Sequence, residues 1–138
     1  SIIVAAPAVI LHELGHKFSA IIFGLDAVLH IFWEGLGLAI FLKLIGSPFL
    51  IVAPAYVSIS GTASAFQGFI TSFFGPLVNL ILFFLAWLIT ERMKLTRKQA
   101  IILYLTKQIN LMLFIFNMLP IPPLDGSKVF LNLFRIIF

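Results

Sequence analysis

"SAFQGFITSFFGPLVNLILFFLAWLIT", residues 64–90, carries no charged side chain from end to end. A helix needs about 20 apolar residues to cross bilayer hydrocarbon, so this stretch reads as a membrane span and decides the fold class. The rest of the chain is of the same kind. It is 62% hydrophobic and 10% charged, with 16 phenylalanines among 138 residues, and its mean hydropathy is +1.17. An ordinary water-soluble domain is far less apolar. "QAIILYLTKQINLMLFIFNMLPIPPL", residues 99–124, is a second candidate span that tolerates one lysine and two asparagines, and residues 1–23 make a third. The predicted architecture is an α-helical polytopic membrane protein, integral and multi-pass. Its three-helix transmembrane core covers about 1–23, 64–90 and 99–119, with a broken continuation over 120–138.

Between the first two spans the pattern changes. Residues 25–35 are mixed in polarity and read as interfacial. Residues 36–61 are apolar but interrupted by Gly46, Pro48 and Pro54, leaving arms too short to span. Two extended arms joined at Gly-Ser-Pro predict a re-entrant or interfacial β-hairpin-like loop over about 33–60, with a pair of short interfacial helices as the alternative. In hydrocarbon such a backbone must lie against protein, line a cavity or pair with another strand. A polar loop follows at 91–99. Residues 1–138 therefore read as one domain. Because the chain starts at Ser1 already inside apolar sequence, with no positive n-region, it reads as a piece of a longer protein.

The formal charge of +4 comes from basic residues scattered or placed at span ends. They form no stripe and no recognition motif, so nucleic acid is excluded as a partner, and they serve as headgroup anchors to the lipid bilayer. With no cysteine, any metal site must draw on His, Asp, Glu or Asn.

Against this background "VILHELGHKF", residues 9–18, stands out. H-E-x-x-H puts His12 and His16 one turn apart on one helical face, where two imidazoles can grip one zinc ion. Glu13 beside them is free to act on a zinc-bound water. An H-E-x-x-H can arise by chance in a soluble helix, but ionisable groups in an apolar span cost several kcal/mol unless paired or functional. A catalytic zinc needs a third protein ligand. Asp125 lies in the proline-broken "NMLPIPPLDGSKVF"; Asp26 sits at the stop of the first helix; His30 and Glu34 offer a rival i, i+4 pair, though Trp33 beside them reads as a membrane boundary. The residues alone leave these candidates open.

"HELGH", "FFGPLVN" at 73–79 and "NMLPIPPLDG" at 117–126, in that order, closely resemble the motifs of the site-2 protease family of intramembrane zinc metalloproteases. The resemblance extends over nearly the whole chain, with Gly75, Pro76, Asn117, Pro120, Pro122 and Gly126 as supporting motif positions. It implies one Zn2+ per chain held by His12, His16 and Asp125, with Glu13 as general base. It also implies that Asn79 helps hold the scissile peptide or its oxyanion, against the plainer reading of a helix-packing hydrogen bond. The implied activity is zinc-dependent endopeptidase cleavage in or near a transmembrane helix of a membrane-protein substrate. Such a helix must unwind before water can reach its peptide bonds, and a strand edge at Val52, Ala53, Ala55 and Tyr56 is the predicted place to receive it. Lys107, Asn110 and Asn117 fall near one face of the third span and read either as a water path or as a snorkelling lysine with an asparagine bonded between helices.

The resemblance implies an active site in the bilayer nearer the cytoplasmic face, with the 91–99 loop on the far side. Arg92, Lys94, Arg97 and Lys98 in that loop argue the reverse by the positive-inside rule. Two other functions compete: an inactive scaffold that retains the zinc site, against which an intact Glu13 counts, and a serine-type protease at Ser60, which has no histidine on a later helix.

Overall fold

The computed structural model describes residues 2–31, 41, 44–46, 55–60, 64–122 and 124–138. Among these the chain is mostly helical. Helix α1 (Ile2–Ile22) is followed by strands β1 (Asp26–Ile31) and β2 (Ala55–Ser60). The long helices α2 (Ala65–Arg92) and α3 (Arg97–Asn117) come next, then α4 (Asp125–Ile137).

Local chemistry sets the helix ends. Helix α1 stops where Gly24 takes φ 73°; the Gly24 N–H donates to the Ile21 carbonyl at 2.9 Å and the Leu25 N–H to the Ala20 carbonyl at 2.9 Å. This Schellman pairing satisfies the last carbonyls of the helix and turns the chain out into β1. Helices α2 and α3 each begin on a capping box: the Ser64 hydroxyl accepts from the Gln67 N–H while the Gln67 side chain reaches back to Ser64, and Thr96 and Gln99 repeat the arrangement. Two of the orphan N–H groups at each start are thereby satisfied without water.

Helix α2 has 28 residues, about 42 Å at 1.5 Å per residue, and α3 has 21. Both are long and apolar enough to cross a membrane. The third expected span, 1–23, forms α1, which carries His12, Glu13, His16 and Lys17 within an otherwise apolar helix. Helix α2 is the centre of the assembly, packed against α1, α3 and α4. Its short link to α3 makes those two antiparallel neighbours.

Polarity is distributed inside out. The largest fully buried side chains are Asn79, Asn110, Pro76 and Ser19, whereas Phe84, Trp87, Met112, Phe134 and Ile137 face outward. In water such a surface would be an aggregation hazard; against lipid tails it is the favourable arrangement, with hydrogen-bonding groups paired inside. This is the surface of a membrane protein.

The extended segments differ from the expected hairpin. Strand β2 pairs antiparallel with β1, from Asp26 opposite Ser60 to Ile31 opposite Ala55, so its partner lies in the segment read as interfacial rather than in 36–45. Of the predicted Gly-Ser-Pro turn, Gly46 takes φ 73°, while Ser47, Pro48 and most of the arm before them fall outside the described residues. Strand pairing is a tertiary choice, and short apolar runs signal extended structure without naming a partner.

Candidate metal centre

Helical spacing brings His12 and His16 to one face of α1, and the helix packing brings Asp125 to meet them. The His12 Nε2 lies 2.8 Å and the His16 Nε2 3.1 Å from one oxygen, Oδ2, of Asp125, and the two Nε2 atoms are 3.2 Å apart. Both imidazoles are buried, and the Asp125 side chain is 16% exposed. Among the described residues this is the group of His, Asp and Glu side chains whose ligand atoms converge closely enough to hold a metal ion.

Each imidazole has its other nitrogen committed. The His12 Nδ1–H donates to Asn79 Oδ1 at 2.5 Å, and the His16 Nδ1–H donates to the Thr71 carbonyl at 2.6 Å. Both acceptors are oxygens, so Nδ1 holds the proton and Nε2 presents its lone pair. Two lone pairs and a carboxylate oxygen then point into one small volume. Three acceptors repel one another unless a cation joins them, and donation from Nδ1 to oxygen is the usual support for a metal-bound histidine.

The separations also suit zinc. Ligands about 2.0–2.1 Å from a tetrahedral Zn2+ stand about 3.3 Å from each other, close to the triangle formed here. Gly75 keeps the volume open: a Cβ there would lie 2.3 Å from His16 Nε2 and 2.8 Å from His12 Nε2. The donor set and the cradle therefore fit the ion.

Asp125 owes its place to the turn before it. It begins α4, and the chain just after α3 lies against the helix start, with the Leu124 N–H donating to the Ile121 carbonyl at 2.9 Å. A Cβ at position 126 would come within 2.3 and 2.4 Å of the carbonyl oxygens of Met118 and Leu119, so only glycine allows this approach. Pro120 and Pro122 are exposed along the turn. Asn117, half-buried at the end of α3, donates to the Leu113 carbonyl at 2.9 Å.

Pro76 contributes differently. Inside α2 it has no N–H to offer the preceding turn, and it is among the most deeply buried residues beside the site.

Glu13 is half-buried, one residue along α1 from His12. Asn79, expected at the substrate, is engaged in the packing between helices beside His12. It is fully buried; its oxygen accepts from His12, and its amide nitrogen donates to the Ala8 carbonyl at 3.3 Å and to Asn110 Oδ1 at 2.9 Å. Both of its N–H groups are thus directed to acceptors within the protein.

Asn110 is likewise tied between helices. Asp26, the alternative ligand, is exposed at the start of β1. His30 lies in β1, and Glu34 lies outside the described residues. Ala55 and Tyr56 belong to β2, opposite Ile31 and His30; Val52 and Ala53 are outside the described residues. The sequence reading missed the Thr71 carbonyl, which a backbone atom cannot advertise.

Two histidines one helical turn apart, joined by a carboxylate from a distant helix inside a helical membrane protein, make the donor set of a hydrolytic metal centre. Comparisons with known proteins agree. Residues 88–138 match peptidase family M50. Over 134 residues the chain is 35% identical to "Putative zinc metalloprotease MJ0611" of Methanocaldococcus jannaschii, covering 94% of this chain and 68% of that protein. Over 71 residues it is 35% identical to "Putative zinc metalloprotease YwhC" of Bacillus subtilis, covering 45% of this chain and 32% of the relative. The chain belongs to peptidase family M50, the site-2 protease family of metalloproteases.

Proposed function

We propose that this protein is a zinc-dependent intramembrane endopeptidase that hydrolyses peptide bonds in or near transmembrane segments of membrane proteins. The observation that carries the reading is the convergence of His12 Nε2, His16 Nε2 and Asp125 Oδ2 within a cradle left open by Gly75. His12, His16 and Asp125 hold one zinc ion per chain. When bound, zinc supplies Lewis acidity, polarising a carbonyl and making water a better nucleophile at neutral pH.

The chain's own groups do the rest. Glu13, adjacent to the ligands, takes the proton from the attacking water and returns it to the leaving amine. The imidazoles keep their Nδ1 protons on Asn79 and Thr71, so neither competes for that proton. Burial of the site beneath an apolar exterior restricts water to what hydrolysis needs. The three helices α1, α2 and α3 form the transmembrane core, with the site in the bilayer nearer the cytoplasmic face.

A spanning substrate arrives with its peptide groups locked in helical hydrogen bonds and must unwind. The edge of β2 that does not face β1 offers the unwound segment the backbone groups of alternate residues in the strand that begins at Ala55 and Tyr56, as a strand added to a sheet.

The test uses purified protein in detergent with a transmembrane peptide, with and without a zinc chelator, alongside Glu13→Gln. Cleavage is expected to stop with chelator and to fall by at least about 100-fold in the variant, the usual scale for a lost general base, while the variant keeps its zinc. Cleavage that survives both treatments overturns the reading.

A further inference from the structure

Two of the most deeply buried side chains in the protein are asparagines on neighbouring helices. Asn79 on α2 is 0% exposed and Asn110 on α3 is 1% exposed. They form a chain that ends on a metal-ligand candidate. The Asn110 amide nitrogen donates to the Thr106 carbonyl at 2.8 Å. The Asn110 oxygen accepts from the Asn79 amide nitrogen at 2.9 Å, and the Asn79 oxygen accepts the Nδ1–H of His12.

The direction of this chain is fixed. A backbone carbonyl can only accept, so the Thr106 carbonyl requires Asn110 to present its nitrogen there and its oxygen to Asn79. The Ala8 carbonyl, 3.3 Å from the Asn79 nitrogen, imposes the same orientation on the second amide independently. Turned over, Asn79 would aim N–H groups at His12 and leave two carbonyls facing an oxygen. Burial makes that costly, because no water is available to repair the mismatch.

We propose that Asn79 and Asn110 are positioning residues: a one-way amide relay from the Thr106 carbonyl of α3 holds the proton of His12 on Nδ1 and so presents the Nε2 lone pair to the metal. The relay rests on the zinc reading above and deepens it. It makes α3, which supplies no ligand, a determinant of metal affinity. His16 takes its equivalent support from a carbonyl of α2 at Thr71, so both ligand tautomers are set by main-chain acceptors, one directly and one through two amides.

A pure packing role and a positioning role predict different outcomes. The experiment measures Zn2+ affinity by competition with a chromophoric chelator on the full chain in detergent. It is done in a Glu13→Gln background so that peptide cleavage plays no part, and values refer to the folded fraction. Asn79→Leu, similar in size but without an acceptor, is expected to weaken zinc 10- to 100-fold, roughly the range for losing an outer-shell partner of a ligand. Asn79→Asp still accepts the His12 proton and is expected to hold affinity within a few-fold, although a buried carboxylate is the worse packing replacement. Asn110→Leu is expected to weaken zinc several-fold alone and to add nothing in the Asn79→Leu background, since residues in one chain do not act additively.

Equal affinity in Asn79→Leu and its parent overturns the relay, as do penalties for the two asparagines that simply add. If Asn79→Leu does not fold, Asn79→Asp and Asn110→Leu carry the test: loss in the first or full retention in the second overturns it. A parent that binds zinc normally while the variants are indifferent removes the relay alone. A parent that binds no zinc removes the metal reading and the relay with it.

Discussion

At the residue scale the site depends as much on what is missing as on what is present. Gly75 supplies no side chain, and the volume a methyl group would take is the one bounded by His12 Nε2 and His16 Nε2. Gly75→Ala is therefore expected to abolish zinc binding while leaving a folded helical protein, since alanine is the better helix former. Zinc content together with far-ultraviolet circular dichroism checks it; normal zinc content would show that the cradle lies elsewhere. The two histidines were legible in the sequence because helix geometry fixes what i, i+4 residues can touch. Asp125 was legible only through the resemblance, since no local rule connects groups more than a hundred residues apart. Asn79 is legible as a motif residue, but its acceptor role toward His12 depends on how α1 and α2 pack, which no local rule reports.

At the element scale, α4 delivers its first residue to a site built on α1 and α2. Its placement depends on the backbone of Met118 and Leu119 lying directly against Gly126. Gly126→Ala would force a Cβ into two backbone carbonyls that cannot swing aside as a flexible side chain can. The expected outcome is destabilisation of about 1–3 kcal/mol, typical of overpacking, with zinc affinity reduced because Asp125 is displaced. Thermal unfolding and chelator competition on the purified variant check both parts; an unchanged affinity would mean that α4 is positioned by its other contacts with α2. Helices were the legible elements, since uninterrupted apolar length is a strong signal. Strand pairing was not. "DAVLHI" looked like a polar interfacial segment, and nothing within its six residues announces a partner at 55–60.

At the scale of the whole molecule, the three ligand candidates come from opposite ends of the chain, His12 and His16 from α1 and Asp125 from α4, with α2 packed between. Bound metal would therefore tie the first helix to the last across the central one. The inside-out distribution of polarity follows from a composition visible in the sequence. Which of the few polar groups meet inside does not follow, because each could equally have snorkelled to an interface.

The central claim is that His12, His16 and Asp125 act together on one zinc ion, and metal content tests it most directly. Elemental analysis of the purified chain is predicted to find one zinc per chain in the parent and in Glu13→Gln, and close to none in His12→Ala and Asp125→Ala. A full equivalent of zinc retained by Asp125→Ala would contradict the account.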